Sequence, residues 1–183
     1  MFWFRRFLGQ ELKGEKTNLR PLKKEDLPAV FTWLEDSELL ELGFGRVETN
    51  SAFQNLIQAY KKEIQSNISS FFAIENKDKN LIGFSSFTIF GSEKRARIGI
   101  LIGSKQEWNK GYGRDAVKAL LHYLFSTKKM DLVELDTGAL NKRAQRCFQA
   151  CGFKHTQKEW AEMTGQIWYE IKKEEFFSSL ELV

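Results

Sequence analysis

Residues 98–125, IGILIGSKQEWNKGYGRDAVKALLHYLF, decide how this chain folds. An apolar run at 95–103 reads as a strand and ends in a polar loop marked by Gly111 and Gly113. Beyond Gly113, Val117, Leu120, Leu121, Leu124 and Phe125 recur at helical spacing. The strand-like DLVELDT at 131–137 comes next, so the segment predicts a β-α-β unit. The loop KGYG at its centre has two readings. Glycine lets a backbone approach a ligand without a Cβ in the way. The first amides of a helix lack internal partners and carry the positive end of its dipole. With Lys110 and Arg114 beside them, these amides would make a pyrophosphate site. The other reading is a plain steric turn, since G-x-G alone is a weak signal. A Walker loop is excluded because G-x-x-x-x-G-K-[ST] does not occur. A dinucleotide fingerprint is excluded because the third glycine is missing and an antiparallel series precedes the loop.

Outward from this unit the elements follow in a simple order. TNLRPL at 17–22 reads as a strand. KKEDLPAVFTWLED reads as a helix, with Asp26 as its N-cap and Pro28 in its first turn. SELLELGFGRVETN, 37–50, reads as a loop. A second helix is expected over 51–65, where Phe53, Leu56, Ile57, Tyr60 and Ile64 share a face. Three strands at 70–76, 80–90 and 95–103 are joined by the turn sequences NKDKN and GSEKR. After the β-α-β unit, NKRAQRCFQAC reads as a helix stopped by Gly152 at C′. FKHTQKEWAEM and GQIWYEIKK form a closing hairpin, and EEFFSSLEL a terminal helix. The pattern predicts an α+β fold around one mixed, mostly antiparallel sheet.

Composition narrows the function classes. A chain of 183 residues suits one domain with a single core, which its 16 phenylalanines should dominate. No run of about 18 apolar residues occurs, so no membrane span is expected. Residues 1–16, MFWFRRFLGQELKGEK, lack a secretory h-region and cleavage site. They read as an N-terminal arm packed on the domain or on a partner chain, ahead of a domain over 17–183. Cys147 and Cys151 lie four apart on one helix face. A zinc site would need further ligands, and only His122 and His155 are at hand, so no metal is expected. Buried thiols of a cytoplasmic protein fit better. The net charge of +4 is spread along the chain rather than concentrated, which argues against nucleic acid and suits an anionic small molecule.

A second constellation lifts the ambiguity of KGYG. EWNKGYGRDA followed by N-x-x-A-x-x-x-F-x-x-x-G-F, residues 141–153, resembles the GNAT superfamily of acetyl-CoA-dependent N-acetyltransferases. The opening NLRPLKKEDLPAVFTWLED, with Trp33 near the helix end, is similar to the branch that holds ribosomal-protein N-terminal acetyltransferases. The resemblance covers about residues 17–175. It implies a single GNAT-like domain with helices on both faces of the sheet and a splayed-strand CoA cleft. It also implies acetyl-CoA as co-substrate and direct attack by a primary amine, either a protein N-terminal α-amine or a small amine. Gly111, Tyr112, Gly113 and Arg114, with Trp108, Asn109 and Lys110 in the same loop, would line the pyrophosphate. Ile100, Leu101 and Ile102 would pair with the pantetheine arm, and Asn141 and Phe148 would approach it from the next helix. Relatives are often dimers, so a homodimer fits the resemblance.

Three positions depart from the family pattern. Trp108 stands where a Gln or Arg is common, Arg97 where a Glu base is frequent, and Phe148 where many relatives place a Tyr acid. Without a base, the acceptor's own acidity matters. A lysine-like amine of pKa ~10.4 is neutral about one time in 2,500 at pH 7, whereas an α-amine of pKa ~7.7–8.0 is neutral roughly 10–17% of the time. A base adds about 10²–10⁴-fold, so its loss slows transfer without abolishing it. Glu75, Glu134 and Asp136 are the remaining carboxylates, and Asp136 lies nearest the expected cleft. Glu35, Asp36, Glu38 and Glu41 border the acceptor region in relatives, and Glu38 and Glu41 would attract a cationic amine. The departures leave one alternative, a non-catalytic acyl-CoA-binding sensor or interaction module on the same fold.

Overall fold

A computed structural model describes residues 11–44, 58, 69–157 and 165–181. Its centre is an eight-stranded sheet in the order β1-β2-β3-β4-β5-β6-β8-β7. The strands are β1 Leu12–Lys13, β2 Thr17–Pro21, β3 Ser69–Asn76, β4 Leu81–Phe90, β5 Arg95–Ile102, β6 Leu132–Gly138, β7 Lys154–Thr156 and β8 Gln166–Lys172. All neighbours pair antiparallel except β5 and β6. The helices are α1 Leu27–Glu35, α2 Ser37–Phe44, α3 Tyr112–Ser126, α4 Lys142–Gln149 and α5 Lys173–Leu180. None of the helices is long and apolar enough to cross a membrane, among the described residues.

Alternation along β3 sends side chains to opposite faces, and both faces are covered. Phe72 and Ile74 join the main core, packed against α3 and α5 through Leu120, Leu121, Leu124, Phe125 and Phe176. Phe71 and Ala73 join a second cluster with Val30 and Leu34 of α1. This two-sided burial is the expected α+β sandwich of one mixed sheet between helices. The expected phenylalanine-rich core is present, with Phe87, Phe125 and Phe176 fully buried. Trp168 and Tyr169 also belong to the interior, each 2% exposed.

Four details differ from expectation. Residues 37–44 form α2 instead of a loop. Asp36 ends α1 and starts α2, its Oδ1 accepting from Glu38 N–H at 3.1 Å and Leu39 N–H at 3.2 Å. That is capping chemistry, and burial of Leu39 and Leu40 holds the helix down. Asp26 does precede α1, but its side chain makes no cap bond. It accepts instead from Lys23 N–H at 2.8 Å and pairs with Arg20 at 2.7 Å. The chain joins the sheet at Leu12, ahead of the domain start expected at residue 17, because Leu12 pairs with Leu19 and is buried in the main core. The helix starts at Tyr112 rather than after Gly113. The helix expected over 51–65, apart from helical Gln58, lies outside the described residues, as do 1–10 and the tip of the closing hairpin.

The stop of α4 matches expectation. Phe153 N–H reaches Phe148 O at 3.1 Å and Gly152 N–H reaches Gln149 O at 3.0 Å, with Gly152 at φ +92°. Those bonds and that φ make a Schellman stop.

Candidate active site

The site follows from how little β5 and β6 pair. Their parallel register covers only Arg95–Leu132, Ala96–Val133 and Arg97–Glu134. Beyond Arg97, β5 continues against β4 as far as Ile102, while β6 continues against β8 as far as Gly138. The two strands therefore part, and a sheet cannot leave backbone groups open at its middle without offering them to something else. A cleft of 340 Å³ opens on one side of the splay and one of 510 Å³ on the other. Ile100, Leu101, Asn141, Arg143, Ala144 and Phe148 line both, so the two are parts of one passage.

The smaller cleft is built by the loop that carries KGYG. Trp108 donates Nε1–H to Ile102 O at 2.7 Å and folds the loop back on the end of β5. Gly111 then takes φ +87°, which turns the chain into α3 and aims the first amides of the helix at the cleft. A Cβ at Gly111 would stand 3.4 Å from Lys16 Nζ. All the residues expected around the cofactor line this cleft except Lys110, whose Nζ turns to Glu107 at 3.0 Å. Asn141 lines it as the N-cap of α4, accepting from Ala144 N–H and donating Nδ2 to Thr137 Oγ1, each at 3.1 Å.

Three contributors were not singled out from the sequence. Lys16 reaches the loop through Nζ to Lys110 O at 3.1 Å. It is placed there by Asp115 in the first turn of α3, which accepts from the backbone of Glu15, Lys16 and Thr17 at 2.9, 3.0 and 2.8 Å and from Thr17 Oγ1 at 2.6 Å. Arg143 lies with its guanidinium 3.3 Å from the Trp108 ring centroid. Burial pushes its pKa down, against the pull of Glu38, and Arg146 pushes the same way as burial. Cys147 is half-buried and lines the cleft, whereas both thiols were expected in the core. Its hydrogen bond with Cys151 and the charge of Arg114 hold its pKa below the usual thiol value despite burial. A lysine before the strand and a side chain two residues past the N-cap reach the site only through the fold, so neither carried a local signal.

The larger cleft holds Asp136, the expected base, which accepts from Arg97 Nη2 at 2.6 Å. The Arg97 guanidinium stacks 4.5 Å from the Trp168 ring centroid. The other two carboxylates considered are committed elsewhere: Glu75 to Arg20 at 2.7 Å, and buried Glu134 to Arg95. Glu38 and Glu41 do not line either cleft; Glu38 pairs with Lys105 at 2.6 Å. Helix α2 instead closes the larger cleft through Leu39, Leu42 and Gly43. It lies so near the end of β6 that a Cβ on Gly138 would meet Leu42 O at 2.8 Å. Phe148, 4% exposed, occupies the shared wall and brings no hydroxyl to it.

Comparison with known proteins agrees with this architecture. The family model described as "Acetyltransferase (GNAT) domain" matches residues 16–154. The spermidine N(1)-acetyltransferase of Vibrio cholerae is 25% identical over 140 residues, which cover 76% of this chain and 80% of that protein. The aminoglycoside N(6')-acetyltransferase type 1 of Klebsiella pneumoniae is 25% identical over 154 residues, 77% of this chain and 75% of that protein. A crystal structure of spermidine N-acetyltransferase from Vibrio cholerae in complex with CoA and spermine superposes with a TM-score of 0.72. Its identity is 21%, over 88% of this chain and 98% of that one.

Proposed function

We propose, for a chain that belongs to the GNAT acetyltransferase family, an N-acetyltransferase that passes an acetyl group from acetyl-CoA to a primary amine. The observation that carries this reading is the splay beyond Arg97, with the amide-bearing start of α3 at the mouth of the smaller cleft. The residues present suit the donor. Gly111 keeps the cradle clear, the amides at the start of α3 face an anion, and Lys16 and Arg114 add positive charge beside them. Acetyl-CoA supplies the thioester. The open edge of β5 from Ile98 to Ile102 offers backbone groups to an extended, amide-containing arm.

On the other side of Phe148 the acceptor amine enters the larger cleft and attacks the thioester carbonyl directly. The C–N bond forms as the C–S bond breaks, and the amine's surplus proton leaves by Asp136 or by water. A peptide α-amine, as the opening LRPL suggests, and a small amine both lie within this reading.

Acetyl-CoA should raise the melting temperature of the protein. Gly113→Asp should remove that rise and keep the fold. A side chain at Gly113 would meet only ordinary contacts, at 3.6 Å from Ile102 and 3.7 Å from Cys147, while its carboxylate would set a negative charge in the lining of the donor cleft, against an anionic ligand. The absence of any shift at millimolar acetyl-CoA would overturn the reading. A shift with no CoA release over a panel of amines would point instead to the non-catalytic sensor.

A further inference from the structure

We infer that the acceptor cleft is built for an amine that also carries a carboxylate, and that Arg97 is the residue that receives that carboxylate. This rests on the acetyltransferase reading above and names its substrate class. Among the described residues, the charged side chains lining the 510 Å³ cleft are Arg97, Arg143 and Asp136. Two guanidiniums against one carboxylate give the described lining a formal charge of +1. A polyamine, which brings several positive charges, is repelled by such a cleft, whereas an amine with an anionic group is attracted.

Arg97 is shaped for this task. Its Cα pairs with Thr88 on β4 and Glu134 on β6, at the last rung before the strands part, so its side chain stands at the floor of the splay. Trp168, itself buried, supports one face of the guanidinium. Asp136 holds Nη2 and fixes the rotation of the fork. A guanidinium carries five N–H donors in a plane, and one carboxylate engages two at most. The side chain is 44% exposed, so the group is both oriented and accessible. Arg143 stands in the wall shared with the donor cleft, and none of the described carboxylates forms an ion pair with it. Its field adds to that of Arg97 where the amine must lose a proton. A positive field disfavours the ammonium form, which helps a site that has Arg97 in the position of a base.

The test uses the full-length protein with saturating acetyl-CoA and matched acceptors. One pair is 4-aminobutyrate and 4-aminobutanamide; another is a short peptide beginning with Glu and the same peptide beginning with Gln. Spermidine is the cationic arm. The carboxylate member should have the higher kcat/KM by about tenfold or more, as for a hydrogen bond to a charged group. The first pair reads a free small acceptor and the second a peptide. Arg97→Gln should erase the preference through KM for the acceptor, with KM for acetyl-CoA unchanged. Asp136→Asn, which releases the fork, should keep or widen the preference, and it guards against a misfolded Arg97 variant. Equal rates within both pairs, or spermidine as the better acceptor, would overturn the inference and leave the acetyltransferase reading standing. Failure of acetyl-CoA to stabilise the protein would remove both.

Discussion

Cys147 shows how a side chain's role changes once its neighbours are known. From spacing alone it was a core thiol, one turn from Cys151. In the fold it is half-buried, lines the donor cleft, and sits 3.7 Å from where a Cβ on Gly113 would stand. The hydrogen bond with Cys151 lowers its pKa, while the same bond and burial push Cys151 up. Thiolate is the reactive form, so Cys147 is the nucleophile of the pair. Iodoacetamide should therefore label Cys147 well before Cys151, read by peptide mass mapping. Acetyl-CoA at ten times its dissociation constant should slow that labelling about tenfold. Labelling at an unchanged rate with bound acetyl-CoA would remove Cys147 from the wall of the donor site.

The N-terminal turn of α3 depends on an element far away in sequence. Asp115 gathers three backbone amides and the Thr17 hydroxyl, and so staples the β1–β2 turn to the helix start. The carboxylate also suits the positive end of the helix dipole. The staple sets where Lys16 meets the Lys110 carbonyl, and hence how much positive charge faces the cradle. Asp115→Ala takes the acceptor from the amide and hydroxyl of buried Thr17 and returns the exposed Glu15 and Lys16 amides to water. We expect a loss of about 3 kcal/mol in urea unfolding, the scale set by hydrogen bonds to a charged group. Acetyl-CoA affinity should fall with it, measured by calorimetry under conditions where the variant is folded. Thr17→Val removes one of the four bonds and should cost a fraction of that. Equal losses for the two variants would show that Asp115 does not act as a staple.

Taken as a whole, the molecule was most legible where a period and a punctuation residue agreed. The helix of α3, with every expected apolar position buried, and the Gly152 stop follow from local chemistry alone. The β5–β6 unit was legible as a topology, since a parallel pair needs a crossover. The splay that makes the cleft was not, because no residue marks where two strands cease to pair. Helix α2 was missed because eight residues give little periodicity, although Asp36 announced it by capping chemistry. Arg20 and Asp26 carried the other hidden message. They read as a strand residue and a cap, yet they form one network with Glu75 that ties β2, β3 and the entry to α1. Burial pushes Asp26 up, but hydrogen bonds from Arg20 and Lys23 N–H, with their charges, hold its carboxyl below the usual range. A folded-state pKa below the unfolded value of about 3.9 means that Asp26 contributes its stability fully above about pH 4. That contribution is lost as pH falls through the folded value. Asp36 and Glu175 are lowered as well, but their partners are exposed lysines, so they add little. The urea midpoint should therefore be flat from neutral pH down to about 4 and then fall. Asp26→Asn should be less stable at pH 7 and lose much less on acidification, since the carboxylate that protonates is gone. An acid-induced loss of the same size in Asp26→Asn would show that the Arg20 network does not govern how the fold responds to acid.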